Sequence, residues 1–395
     1  MTLRQFKTNV FIIEGSNAFA TGIYFNWIFF YTQNRLHFGV SENLGLVALH
    51  GLIYTGAAWF GGWFAHRFGK FAALKIGFAI MSVALGAGNF LPFAPAQVAV
   101  MLGWTFGMCF TWATLQSLIS DREPADRLPR MAGIYNIVWS GVSAVSYFVG
   151  GALLEKFGIT ALFWIPAAIH LVQLAHVFWL GKKEVAPEPE KIIASPIERE
   201  NLSSERANPV GQKKFLRYAL LANPFAYVAI NTAIPMIPVV AKRFELSPTM
   251  TGVFCSVWFF VRMGAFIWFW LWPGWHYRFG ILLTAKISLV VSFIALMLAP
   301  QFWILLVAQI FFGLSVGLIY YSSLYYSMHG GASKSQHGGV HEAVIGLGTL
   351  VGASVGVGAN YFFPEVSGVS IWAVSGLLLG GLFALIWLRY RKENG

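Results

Sequence analysis

Arg262 lies within Val-Trp-Phe-Phe-Val-Arg-Met-Gly, near the middle of a long apolar stretch. A guanidinium stays charged at any ordinary pH, and its planar fork of donors matches a carboxylate or a phosphate. In apolar surroundings it needs an anionic partner, water or a cavity. It can therefore anchor an anion, or it can serve a structural ion pair or a gate. Glu14 and Glu342 are the acids in comparable settings. Each can carry a proton in a coupled cycle, or make a gate contact where water keeps it ordinary. Both are placed within the first two turns of their stretches, a shallow position that favours the gate.

Imidazoles add a second kind of chemistry. His50 falls inside an apolar stretch, and His337, His341 and Glu342 form His-x-x-x-His-Glu, with His329 nearby. Histidines four apart share a helix face and could hold a metal, but no third ligand follows. The better reading is a hinge that titrates near neutral pH. No metal and no cofactor are expected.

Polar and aromatic side chains recur at helical spacing. Glu14, Asn17, Thr21 and Tyr24 form one stripe. Thr105, Cys109, Trp112 and Gln116 form another, and Asn223, Tyr227 and Asn231 a third. Tyr320, Tyr321, Tyr325 and Tyr326 make the fourth. A stripe of this kind on an apolar helix faces protein or water rather than lipid.

The elements carrying these residues are twelve apolar stretches, at 8–31, 42–65, 71–90, 98–120, 132–153, 159–180, 216–240, 249–271, 281–298, 303–327, 339–363 and 369–388. About 20 apolar residues of helix cross a bilayer, and lipid offers the backbone no hydrogen-bond partner, so each stretch is predicted to be a helix. Hydrophobic residues make up 57% of the chain and charged ones 11%, against about a quarter charged in soluble proteins. The expectation is an all-α membrane protein, multi-pass in the cell membrane, with the bilayer itself as a partner. The first stretch is full length and lacks a small-residue cleavage site, so it reads as a span rather than a removable leader.

The net charge of +11 does not mark a nucleic-acid binder, because its distribution is lopsided. Arg4, Lys7, Arg67, Lys70, Arg122, Arg127, Arg130, Lys182, Lys183, Lys213, Lys214, Arg389, Arg391 and Lys392 fall at the termini or in alternate loops. Arg35, Lys156, Lys242 and Arg243 fall in the opposite loops. This bias places both termini in the cytoplasm. Lys75 and Lys286, a few residues into their stretches, are expected to snorkel to the interface. Cys109 and Cys255 both lie in apolar stretches, which implies no disulfide framework.

Residues 181–213 are rich in Pro, Glu, Lys and Ser and read as a linker. The expected units are 1–180, a 181–215 linker, and 216–395. The halves echo each other. His66-Arg67-Phe68-Gly69 through Gly77 lines up with Tyr277-Arg278-Phe279-Gly280 through Ser288, each after the second stretch of its half. Gly133-Ile-Tyr-Asn136 matches Gly339-Val-His-Glu342, each opening a fifth stretch. Such duplication is common in transporters.

In these features the chain resembles the major facilitator superfamily of secondary transporters, over essentially its whole length. The family's loop motif after span 2, roughly G-x-L-A-D-R-x-G-R/K, is matched by Gly62, Phe64, Ala65, Arg67, Gly69 and Lys70. His66 stands where the family usually has Asp, which puts the cytoplasmic lock attributed to that Asp in question. In span 5, Gly141, Gly150 and Gly151 fit a family pattern, but Ser146-Tyr147 replaces its Gly-Pro, which counts against drug/proton antiport. The resemblance implies two pseudo-symmetric six-helix bundles and alternating access through a central cavity. It also implies that spans 1, 4, 7 and 10, with Arg262 of span 8, line that cavity. The pairing of spans 5 and 11 through Gly346, Gly348, Gly352 and Gly356 would support the rocking motion. Asn223-Pro224, Pro235 and Pro238 make span 7 a kinked gate.

The leading expectation is thus a transporter of a small solute, an organic anion coupled to protons, acting as a monomer. Arg262, Asn17, Thr21, Tyr24, Trp112, Gln116, Tyr227, Asn231, Tyr320 and Tyr321 are the candidate substrate contacts. Glu14, Glu342, His341 and His50 are the candidates for proton coupling or gating. Export of amphipathic or cationic compounds is the alternative within the class, and a non-transporting sensor the alternative outside it. The sequence holds no phosphate-binding loop and no His-Glu-x-x-His, so an enzyme is not expected.

Overall fold

The computed structural model describes residues 1–121, 123, 128–183, 209–329 and 334–391, except for the side chains of 128–129, 209–210, 328–329 and 334–341. Twelve helices cross the fold among these residues. They are α1 (Leu3–Leu36), α2 (Val40–Phe68), α3 (Lys70–Gly88), α4 (Ala94–Ser120), α5 (Leu128–Phe157) and α6 (Ala161–Leu180), then α7 (Pro209–Arg243), α8 (Pro248–Leu271), α9 (Phe279–Leu298), α10 (Phe302–His329), α11 (Lys334–Phe362) and α12 (Val369–Tyr390). Two are interrupted: α4 breaks between Cys109 and Trp112, and α8 at Ser256.

Eleven of these helices are long and apolar enough to cross a membrane, and α1 is the one that falls short. It is 34 residues long, so length is not the reason. Glu14, Asn17 and Asn26 dilute its apolar character, and all three are buried in protein, away from lipid. Large apolar side chains such as Trp59, Val83, Val172, Val291 and Phe383 are instead exposed, the pattern of a protein whose outer solvent is hydrocarbon.

Local chemistry explains the helix ends. Thr2 and Gln5 form a reciprocal capping box at the start of α1. Gly69, at φ 97°, makes the single-residue corner between α2 and α3, a conformation that side-chain-bearing residues resist. Connections this short hold successive helices antiparallel.

Helices α1, α3, α4 and α6 pack chiefly within the first six and α7, α9, α10 and α12 within the second, whereas α2 and α11, and α5 and α8, pack chiefly on each other. The two sets meet where α2 lies on α11 and α5 on α8, with α1 and α2 also touching α7. The expectation that α11's glycines pair it with α5 is corrected. Gly346 lies against Thr55 of α2, Gly348 against the Pro224 backbone of α7, and Gly352 against Val228. The reason is the missing Cβ: backbone approaches backbone at these crossings, and α5 spends its own small face, Gly141 and Gly151, on Met263 and Pro248 of α8. Pro224, Pro235 and Pro238 all lie inside the continuous helix α7.

Lys286 is also corrected. Lys75 is half-buried, above the Phe178 ring at 4.4 Å, but Lys286 does not reach an interface. It is fully buried, 4.2 Å from the Phe225 ring, and its Nζ has no hydrogen-bond partner among the described residues. The packing of α12 on α7 and α9 closes over it, with Gly381 admitting the Phe225 ring.

Candidate substrate site

Arg262 sits in the longer segment of α8 and is 6% exposed. Its guanidinium carbon lies 4.7 Å from the Trp139 ring, 5.1 Å from Phe259 and 5.2 Å from Trp258. Trp258 and Phe259 stand four and three residues before it, the spacing at which side chains share a helix face. Trp139 comes from α5, on the other side of the contact between the two sets of helices. The two ion pairs found among the described residues do not involve Arg262, and its Nε has no hydrogen-bond partner. Rings at this distance support a desolvated cation without pairing its Nε–H.

The aromatic surroundings continue beyond Arg262. Trp139 meets Tyr320 at 5.6 Å, Phe266 at 5.9 Å and Trp112 at 6.0 Å between ring centres. Tyr227 meets Tyr320 at 6.3 Å. The Trp139 indole N–H donates to Asn136 Oδ1 at 2.9 Å, which fixes the ring's orientation. Five helices, α4, α5, α7, α8 and α10, contribute to this cluster.

The two acids come from α1 and α11. Glu342 of α11 accepts a hydrogen bond from the Tyr54 hydroxyl of α2 at 2.5 Å. Glu14 is fully buried and neither of its carboxylate oxygens has a hydrogen-bond partner, although Tyr135 faces it. The two carboxylates are within electrostatic reach of each other, and Tyr227 and Tyr320 interact with both Glu342 and Arg262. Glu14 lies about three turns into α1, deeper than its shallow expected place. The helix begins at Leu3, before the apolar stretch does.

The remaining candidates divide. Asn231 donates to Thr349 Oγ1 at 2.7 Å, linking α7 to α11. Asn17 reaches Thr111 Oγ1 at the α4 break, and the buried Thr21 Oγ1 has no partner. Gln116 is half-buried in the second segment of α4. Tyr24 turns away from Arg262 and packs on Trp104 at 4.9 Å and Phe163 at 6.0 Å. Tyr321 packs on Phe266 and Trp275, and Tyr325 on Trp275 and His276. His50 is buried, with Nδ1 2.7 Å from Thr105 Oγ1. The side chains of His329, His337 and His341 lie outside the described residues. Among the described residues no three His, Cys, Asp or Glu side chains cluster as a metal would require.

Sequence reasoning missed Trp139, Tyr54, Tyr135, Trp258 and Phe259. The last two were within reach of an i−4, i−3 argument from Arg262. The first three bear on charged residues from other helices, which no local spacing reveals.

The Major Facilitator Superfamily model matches residues 2–147 and 106–353. The chain belongs to this superfamily. Its members are transporters rather than enzymes, which gives the coarse function: a multi-pass membrane protein that moves a small solute. Among solved structures, the nucleoside transporter NupG is similar with a TM-score of 0.71 at 12% identity, covering 98% of this chain and 100% of that one. The human organic anion transporter MFSD10 (TETRAN) is similar with a TM-score of 0.63 at 14% identity, again covering 98% and 100%. At these identities the likeness shows the fold. No curated protein matches the chain.

In this superfamily member the loop motif has its own geometry. His66 and Arg67 are exposed at the end of α2, and Gly62 is half-buried. Lys70 pairs with Asp121 at 2.6 Å. Lys7 donates to the Leu118 carbonyl at 3.3 Å and to those of Ile119 and Asp121, with Glu123 at 3.5 Å. A lysine on the last carbonyls of α4 satisfies acceptors that the helix leaves unpaired.

Proposed function

We propose that the chain is a secondary active transporter for a small organic anion, coupled to protons, working by alternating access. One observation carries this reading: Arg262 is a buried cation without an acid partner among the described residues, in a cluster shared by helices from both sets of six. An unpaired buried charge costs several kcal/mol, and a substrate carboxylate would relieve that cost. Glu14 and Glu342, across Tyr227 and Tyr320, are the groups that would take the proton accompanying the anion. In this reading residues 1–180 and 216–395 are two pseudo-symmetric bundles joined by the 181–215 linker, and both termini are cytoplasmic. The exporter of cationic compounds is disfavoured by the same arginine, since its field repels a cation.

Counterflow of radiolabelled carboxylates in liposomes containing the full chain tests the reading. Uptake is expected to be driven by an inward proton gradient and lost in Arg262→Gln. Glu14→Gln or Glu342→Gln is expected to keep exchange while losing the response to the gradient. Full gradient dependence in both acid variants would sink the coupling assignment. Carboxylate uptake unaffected by Arg262→Gln would sink the anchor.

A further inference from the structure

Three rings cover the Arg262 guanidinium, at 4.7, 5.1 and 5.2 Å. Rings do not pair with its in-plane N–H donors, and the Nε–H has no hydrogen-bond partner among the described residues. A carboxylate matches such donors with two parallel hydrogen bonds. Beside it, Trp139, Trp112, Tyr320 and Phe266 already meet one another edge-to-face or tilted, at interplanar angles of 87°, 71°, 57° and 38°. Rings prefer such geometry because positive edges meet negative faces. A saturated chain entering here gains buried area alone, whereas a flat conjugated ring gains the area and the oriented contacts.

Resting on the anion reading above, we propose that the substrate is a planar aromatic carboxylate, its acid group on Arg262 and its ring among Trp139, Tyr320 and Trp112. Trp139 takes part twice, over the guanidinium and beside the ring. Its indole is tethered to Asn136 at 2.9 Å, so the wall it offers is set before the ligand arrives. Trp139 belongs to α5 and Arg262 to α8, so one ligand touching both would bridge the two sets of helices. A ring held this way would hold the site closed around it.

Thermal unfolding of the purified full-length protein with matched probes tests the assignment. Benzoate and 2-naphthoate are compared with their saturated counterparts, cyclohexanecarboxylate and decahydro-2-naphthoate, and with uncharged benzamide. The aromatic acids are expected to bind about tenfold more tightly than the saturated ones, the worth of one or two oriented ring contacts. Benzamide is expected to give no shift. Trp139→Leu is expected to bring the ratio close to one while acids still bind, and Trp139→Phe to keep it. Equal binding of saturated and aromatic acids overturns the aromatic assignment and leaves the anion reading standing. Binding of no acid overturns both. Should Trp139→Leu fail to fold, the comparison on the unaltered chain decides.

Discussion

The Tyr54 hydroxyl donates to the Glu342 carboxylate at 2.5 Å across the contact between α2 and α11. Residues 288 apart in the chain thus share a part-buried polar bond where the two sets of helices meet. Hydrogen bonds to charged groups contribute about 1.5–3 kcal/mol. Tyr54→Phe and Glu342→Gln are each expected to lower the unfolding temperature, and the double variant to be no worse than the poorer single one. A double-mutant cycle on thermal stability measures the coupling. Simple additivity would mean that the bond carries no energy.

Lys286 is the clearest case of a cost left unrelieved. Its ammonium is fully buried, has no hydrogen-bond partner among the described residues and rests on the Phe225 ring. Contact with a ring gives about 2 kcal/mol when desolvated, less than the several kcal/mol of burying an ion. Lys286→Met, similar in length and apolar, is expected to stabilise the protein by about 1–3 kcal/mol. Lys75→Met, at the matching place in the first half, is expected to change stability by less than about 0.5 kcal/mol. A Lys286→Met protein that is less stable than the parent would mean that the lysine has a partner in another state of the cycle.

How much of this could be read from the chain depends on range. The helices were legible because an apolar run of bilayer length has no other stable form in lipid. Arg262, Glu14 and Glu342 were legible because a charge in such a run is costly wherever it points. Lys286 was misjudged because its burial depends on Phe225 and Gly381, which come from α7 and α12. Trp139 was passed over because a tryptophan in an apolar helix looks the same whether it faces lipid or a guanidinium. The α4 break at Phe110 and Thr111, which separates Thr105 and Cys109 from Trp112 and Gln116, falls inside an apolar run that reads as one continuous helix. Tyr24 kept its place on the α1 stripe but turned to α4 and α6, because a stripe fixes a face and not the neighbour it meets.

Glu155, beyond the apolar stretch of α5, accepts hydrogen bonds from the Thr249 backbone N–H at 3.1 Å and from the Thr249 hydroxyl. It thereby joins α5 to the start of α8. The Thr249 hydroxyl, with its backbone N–H, holds the carboxyl below the usual carboxylate range. A depressed value means that the contact contributes fully above the unfolded value, about 4.3, and is lost as pH falls through the lowered one. Glu155→Ala is expected to unfold at a lower temperature than the parent at pH 7, with the gap closing below about pH 4. A gap that persists at pH 3 would show that the contribution is packing and not the charged contact.

The α2–α11 crossing depends on a missing side chain. A Cβ on Gly51 would fall within 3.0 Å of the Leu350 and Thr349 backbone, which has no flexible end to move aside. Overpacking of this kind costs about 1–3 kcal/mol, and here it would also push apart the helices that bring Tyr54 to Glu342. Gly51→Ala is expected to lower stability by that amount and to weaken the Tyr54–Glu342 coupling in the same cycle. Gly56, on the same helix, has nothing within 4 Å of a built Cβ. Gly56→Ala is expected to be neutral or to stabilise by up to about 1 kcal/mol through helix propensity alone. If both substitutions behave alike, the close approach of α2 to α11 does not govern stability, and the crossing opens at little cost.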